Sequence, residues 1–402
     1  MKAVGLVVEY NPFHNGHFYH AEQSKKQNEA DIVIAVMSGS FLQRGEPALV
    51  NKWSRTQMAL KSGIDLVIEL PYIYSTQHAQ HFAFGAISLL EAIQCDTFCF
   101  GSEQGDIAMF VSKYEQMKKY EIEINNQVRY FSKQGYNYPK SFSLALASLG
   151  LDSHDELDLT KPNNILGYQY IRAALSNHYR IQPTLIQRIA AQYHDQTLPT
   201  GHIASATSIR QALLHNEQMT EAQTFMPSYT FIELQRYLEV NQTLHHWESY
   251  WPLLQYKLIS TSNEELSQIY EVEEGLQYRL KEAARTSTSF ANFITAAKTK
   301  RYTLTRLQRI CVHILIGANK IKIKQLLEQP SYLRILGFTE QGRKYLNEKK
   351  KQIELPLITK VSNFEHDALS LDIKAAIIHS LILPADKQQS AFQREYRHPV
   401  II

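Results

Sequence analysis

The sequence predicts an α/β protein: a doubly wound parallel sheet in the amino-terminal half, then a mostly α-helical carboxyl-terminal region. Three observations carry this. Four short apolar runs are rich in β-branched residues without polar alternation, helical patterns separate them, and beyond about residue 215 the strand pattern gives way to helix. Strands covered on both faces read as unbroken apolar runs, and strands alternating with helices build parallel sheets.

KAVGLVV (2–8) and DIVIAVM (31–37) are the first two strands, with a helical pattern from Asn15 to Asn28 between them, which makes one βαβ unit. Asn51 suits the cap of KWSRTQMALKSG, Gly63 suits its end, and DLVIEL (65–70) follows as a third strand. HFAFGAISLLEAIQ (81–94) is a helix and DTFCFGS (96–102) a fourth strand. Residues 106–180 read mostly as helix, including a tract of scattered Lys and Glu at 113–134 that fits a solvated face or a contact surface. TKPNNILGYQYIRAAL (160–175) opens with Pro and Asn as helices do, and RIQPTLIQRI (180–189) returns as a short strand. ASATSIRQALL (204–214) is a hydroxyl-rich loop feeding a helix. TLTRLQRICVHILIG (303–317) is the clearest amphipathic segment of the second half, and 332–362 suggests a short strand pair. The division falls at 1–218 and 219–402.

Composition narrows the class. The 402 residues, 44% hydrophobic and 20% charged, suit a globular chain of two domains. Cys95, Cys99 and Cys311 form no CxxC pair, which supports neither a disulfide framework nor a zinc ribbon. MKAVGLVVEY meets Glu9 too early for a signal peptide, and no apolar stretch is long enough to span a bilayer. A cytoplasmic protein without a membrane partner is expected. The net charge of +3 hides a segregation: residues 298–351 hold fourteen Lys plus Arg against three Glu, an excess of +11, and the remainder carries −8.

Chemistry concentrates in NPFHNGH (11–17), the turn after strand one. A strand that ends there and enters a helix aims free amides and a positive dipole end at the carboxyl edge of the sheet, where an anion belongs. His14 and His17 suit imidazole donors to phosphate oxygens, and Gly16 admits close approach. His-x-x-His, continued by His20, is also a metal-ligand pattern, but neither HExxH nor a carboxylate accompanies it. A purely structural pair is the other alternative. The chain lacks GxxxxGK[ST] and GxGxxG, so another phosphate cradle is needed.

NPFHNGH resembles the HxGH signature of the nucleotidyltransferase and class I aminoacyl-tRNA synthetase superfamily, and ASATSIR (204–210) resembles its second motif, ISSTxIR. Ala204 and Ala206 depart from that motif, while Ser205, Thr207, Ile209 and Arg210 keep it. MSGSFLQRGEPALVNKWSRTQMAL (37–60) and PNNILGYQYIRAAL (162–175) resemble the tRNA(Met) cytidine acetate ligase family, and the likeness runs essentially end to end.

The resemblance implies a Rossmann-like nucleotidyltransferase domain and an ATP-dependent ligase. It would convert acetate to acetyl-adenylate, with magnesium on the pyrophosphate, and pass the acetyl group to N4 of the wobble cytidine of elongator tRNA(Met). His14 and His17 are the implied catalytic donors. The implied ATP contacts run through Val7, Val8, Glu9, Tyr10, Asn11, Pro12, Phe13, His14, Asn15, Gly16, His17, Phe18, Tyr19 and His20, then Gly101, Asn163 or Asn164, and Arg188. Ser205, Thr207 and Arg210 would hold the outer phosphates. Arg44, Lys52 and Arg55 near the second strand's carboxyl edge are further options for phosphate or RNA. Lys300, Arg301, Arg306 and Arg309 beside Tyr302, with Lys320, Lys322 and Lys324, suit RNA phosphates and stacked bases. Two rivals stay open: an adenylyltransferase acting on a small phosphorylated cofactor precursor, and a noncatalytic RNA-binding protein.

Overall fold

The computed structural model describes residues 1–103, 105–152, 157–187, 204–214 and 219–402. The apolar runs become β1 (Ala3–Val8), β2 (Ile32–Ser38), β3 (Leu66–Leu70), β4 (Thr97–Ser102) and β5 (Gln182–Gln187). They lie parallel in the order β5-β4-β1-β2-β3. The chain winds outward from β1 and then returns to its other side, which puts the topological switch between the carboxyl ends of β1 and β4. Successive residues face opposite layers: Ile32, Ile34 and Val36 enter one core with Leu66 and Phe98, and Val33, Ala35 and Met37 enter the other with Val4 and Leu6. Burial on both faces is why these strands carry no polar alternation.

Helices α1 (Asn15–Gln27), α2 (Lys52–Leu60), α3 (Tyr72–Ser75) and α4 (Ala79–Ala92) connect the first four strands. Between β4 and β5 lie α5 (Ile107–Lys119), α6 (Glu121–Lys133), α7 (Tyr138–Ser148) and α8 (Pro162–Ser176), and α9 (Ala206–Leu214) follows β5. The Lys- and Glu-bearing tract at 113–134 is thus divided between α5 and α6, with Tyr120 at their junction.

The second half is mostly helix, yet it also completes the sheet. β6 (Leu333–Phe338) adds antiparallel to β3, and β7 (Leu357–Ile358) and β8 (Val400–Ile401) both pair parallel to β6. The strand pair expected within 332–362 is β6 with β7. A buried charge cluster fastens this seam. Lys52 lies 2.8 Å from Glu69 and 2.7 Å from Glu395, and Arg334 lies 3.0 Å from each of the same two carboxylates. Two cations and two anions leave the cluster neutral, which is what its burial demands. No helix among the described residues is long and apolar enough to cross a membrane.

Candidate active site

The turn after β1 is held by its own side chains. His14 is the N-cap of α1: its Nδ1 accepts the Gly16 N–H at 3.1 Å, and His17 Nδ1 accepts the His14 N–H at 3.3 Å. The two rings stack with centroids 3.7 Å apart. A neutral imidazole whose Nδ1 accepts carries its proton on Nε2, so the cap sets both rings in the tautomer that donates from Nε2. The capping geometry therefore leaves both Nε2–H groups as the donors the pair can offer. Asn11, 3% exposed, accepts the Leu49 N–H on Oδ1 at 2.7 Å, and Tyr10 sits in the left-handed region at φ 49° over the His17 ring.

The second motif meets the first across the sheet edge. Arg210 donates to the Asn11 carbonyl at 3.2 Å, to Glu46 at 3.1 Å and to the Thr207 hydroxyl at 3.4 Å. Ser205 accepts the Ser208 N–H at 3.1 Å, which makes its hydroxyl the cap of α9. Ala204 is buried and Ile209 fully so, so the apolar positions of this motif anchor α9 in the core.

On the other side of the switch, Gly101 lies near the end of β4, paired with Ile186 of β5. The two asparagines left open by sequence separate here. Asn164 is fully buried: it accepts from the Ser102 hydroxyl at 3.0 Å and the Glu103 N–H at 3.3 Å, and donates to the Asp158 carbonyl at 3.1 Å. Asn163 is half-buried and donates to the Glu103 carboxylate at the strand end. Asn163→Ala is expected to raise KM for ATP about fivefold, the worth of one neutral hydrogen bond, and to cost less stability than Asn164→Ala because the Glu103 contact it loses is only half-buried. Asn164→Ala should lower unfolding free energy by about 1–3 kcal/mol, through the polar groups it strands. Urea titration beside ATP kinetics separates the two. Arg188 lies outside the described residues.

Arg55 and Lys52 correct the sequence reading. Arg55 is fully buried and donates to the carbonyls of Glu9 at 2.7 Å, Ser38 at 3.0 Å, Val50 at 3.3 Å and Gly39, so it ties together the carboxyl ends of β1 and β2. Burial lowers its pKa to about 10, which leaves it cationic at neutral pH. Lys52 is consumed by Glu69 and Glu395. Neither side chain meets phosphate or RNA. Arg44 stays half-buried in the field of Glu9, whose carboxyl burial pushes up while the Gln43 N–H, at 2.8 Å, pulls it down.

The loop that holds Asn11 is itself gripped from the second half. His245 donates its N–H to the Leu49 carbonyl at 3.0 Å, and His379 Nε2 lies 2.8 Å from the Ala48 carbonyl. Their rings stack at 3.7 Å. Burial pulls the His379 pKa down to about 3 and His245 well below its usual value, so both are neutral supports. No local pattern marks either residue.

The basic segment reaches the same region. Gly45, at φ +77°, packs on the helix Leu304–Ile316 so closely that a Cβ there would fall 2.3 Å from the Arg309 nitrogen. Arg306 rises from the first turn of that helix, its guanidinium 4.9 Å from the Tyr302 ring centroid. Four of the predicted phosphate contacts have partners in the fold. Arg309, 8% exposed, donates to both Glu271 carboxylate oxygens at 2.9 and 3.1 Å, and Lys320 donates to the Ser267 and Val272 carbonyls at 3.0 and 2.9 Å. Lys322 pairs with Asp367 at 2.7 Å. Arg301 pairs with Glu274 at the surface, while Lys300 and Lys324 are exposed.

The model of the HIGH nucleotidyl transferase family matches residues 1–395. The chain is 48% identical to the tRNA(Met) cytidine acetate ligase of Anoxybacillus flavithermus, covering 99% of each sequence. It is 46% identical to the Bacillus subtilis protein of the same name, covering 100% of this chain and 97% of that one. Among solved structures it is similar to Thermotoga maritima TmcAL without ligand, with a TM-score of 0.93, 32% identity and 100% of both chains covered. The same T. maritima protein bound with alpha-thio ATP matches with a TM-score of 0.91 and 31% identity over 100% of both chains.

Proposed function

The chain belongs to the tRNA(Met) cytidine acetate ligase family of HIGH nucleotidyl transferases, and from its site we propose how the two halves of that reaction are divided among its residues. It is a ligase with ATP and tRNA(Met) as substrates. In the first half, an acetate oxygen attacks the α-phosphorus of ATP, the bond to the bridging oxygen breaks, and pyrophosphate leaves. Charge grows on nonbridging and leaving oxygens, so preorganised donors matter more than any covalent group. His14 and His17 supply Nε2–H donors beside the amides at the start of α1, and Thr207 and Arg210 hold the departing pyrophosphate. In the second half, cytidine N4 attacks the acyl carbon, AMP leaves, and N4 gives up a proton.

One observation carries this reading: Arg210 of the second motif donates to the backbone of Asn11 in the first, which brings the two turns together at one edge of the sheet. Among the described residues no group of three or more His, Cys, Asp or Glu side chains gathers to hold a metal. Magnesium, which we assign as the counterion of ATP, would neutralise charge on the departing pyrophosphate beside Thr207 and Arg210. The amino-terminal 1–218 does this chemistry, and 219–402 holds tRNA through Lys300, Arg306 and Lys324.

The test is mass spectrometry of tRNA nucleosides after incubation with ATP, labelled acetate and the protein. Label in N4-acetylcytidine, with AMP and pyrophosphate released, is the expected result. Pyrophosphate release that requires a small phosphorylated acceptor and ignores acetate would overturn it. Affinity for tRNA is expected to fall steeply with salt, and the slope of log K against log salt to flatten by about one for each of Lys300, Arg306 and Lys324 neutralised.

A further inference from the structure

The hairpin of α6 and α7 presents a face that the proposed chemistry does not use. The chain has no Asp or Glu between Glu123 and Asp152, and within that stretch Arg129, Lys133 and Lys140 are exposed. None of the three makes an ion pair among the described residues. Tyr130, Tyr136 and Tyr138 stand beside them at 58%, 43% and 65% exposure. Large exposed aromatics in a soluble fold ask for an occupant, and a single sign of charge around them says what kind.

The fold joins this face to the other acid-free stretch, which runs from Glu282 to Glu328 and holds the basic segment. Asn137 at the hairpin turn donates to the Lys300 carbonyl at 3.2 Å. From Lys300 the surface continues to Arg306 over Tyr302, on the helix that packs against Gly45. The loop around Gly45 holds the site directly, through the Gln43 N–H on Glu9 and Glu46 on Arg210. The cations Lys300 and Arg306 thus lead from the tyrosine-bearing hairpin turn toward the loop that holds the active site, with Tyr302 buried, at 7% exposure, beneath Arg306.

We propose that the tip of the α6–α7 hairpin is a stacking platform for unpaired nucleotides of the bound tRNA, next to the acceptor cytidine. This rests on the ligase reading above. A duplex stem offers phosphates but hides its base faces, whereas unpaired bases stack on tyrosine rings and their phosphates meet lysine and arginine. A second copy of the chain fits poorly, because Arg129, Lys133 and Lys140 would face the same three cations.

The test compares the full-length chain with Tyr136→Ala/Tyr138→Ala, with Tyr136→Phe/Tyr138→Phe and with Lys133→Glu/Lys140→Glu. Each is assayed for direct binding of an unmodified tRNA(Met) transcript and for acetate-dependent ATP–pyrophosphate exchange without tRNA. The alanine pair is expected to weaken tRNA binding by about tenfold or more, the loss of one or two stacked bases. The phenylalanine pair should bind as the parent does, and the glutamate pair should lose affinity with a flatter salt slope. Exchange should stay within about twofold in all of them. Unchanged binding by the alanine pair overturns the platform, as does an equal loss in the phenylalanine pair. Unchanged binding with an altered sedimentation coefficient assigns the face to self-association and overturns it too. Parent protein that binds tRNA but shows no acetate-dependent exchange sinks the ligase reading instead.

Discussion

His14→Ala is expected to slow acetate-dependent ATP–pyrophosphate exchange by a factor of about 10²–10³, the usual cost of deleting one preorganised donor to a developing oxyanion. The structure adds a second, smaller cost. His14 Nδ1 also accepts the Gly16 N–H, so the alanine uncaps α1 and should lower stability by about 1 kcal/mol. His14→Ser separates the two, because a serine hydroxyl restores the cap without reaching the phosphate. Thermal melting should then recover while exchange stays low. His17→Ala is expected to follow the same pattern through its bond from the His14 N–H. Exchange by either alanine variant at the parent rate would remove the pair from the chemistry.

The largest effect on stability is expected at Glu395. Its carboxylate pairs with Lys52 and Arg334 and accepts from Trp53 Nε1 at 2.9 Å, at 4% side-chain exposure. Burial pushes this carboxyl up, but the two cations hold it below its usual value. Glu395→Ala leaves two buried cations facing Glu69 alone, and should cost about 3–5 kcal/mol in urea unfolding. Glu340→Ala is the control: its pair with Lys344 is solvent-exposed and should be worth under about 1 kcal/mol. The sign with pH follows from the direction of the shift. A carboxyl lowered on folding stabilises above its unfolded pKa, and the contribution is lost as pH falls through the folded value. Acid should therefore narrow the gap between Glu395→Ala and the parent. A loss no larger than the Glu340 control would show that the cluster is not what fastens the seam.

The same cluster bears on activity, because Lys52 and Arg55 share α2. Lys52 pins that helix to β3 and to Glu395, and Arg55 uses it to hold the carbonyl ends of β1 and β2. A pair of cations that reads as phosphate-binding in sequence is the frame on which the β1–α1 turn rests.

Much of the site was legible because its signals are local. Apolar runs without alternation marked β1 to β4, a proline and glycine turn with two histidines marked the β1–α1 turn where we propose that phosphate binds, and a hydroxyl-rich turn before a helix marked its partner. Each depends on residues within a few positions of one another, where strand and helix periods and capping chemistry act. Sequence could not tell Asn163 from Asn164, because a helix start offers both the same spacing and only packing against Ser102 buries one of them. It misread Arg309 for a related reason: Glu271, which neutralises it, is 38 positions away.

What the sequence by itself determined was the layering of the sheet, the two turns that meet at its edge and the family to which the chain belongs. Tertiary structure alone decided which charges are spent inside. Trp53 and Glu395 meet across 342 positions, and β6 joins β3 from the far half of the chain. A charge enters a low-dielectric interior only when an opposite charge arrives with it, and that arrival is an outcome of the whole fold rather than of any neighbouring residues.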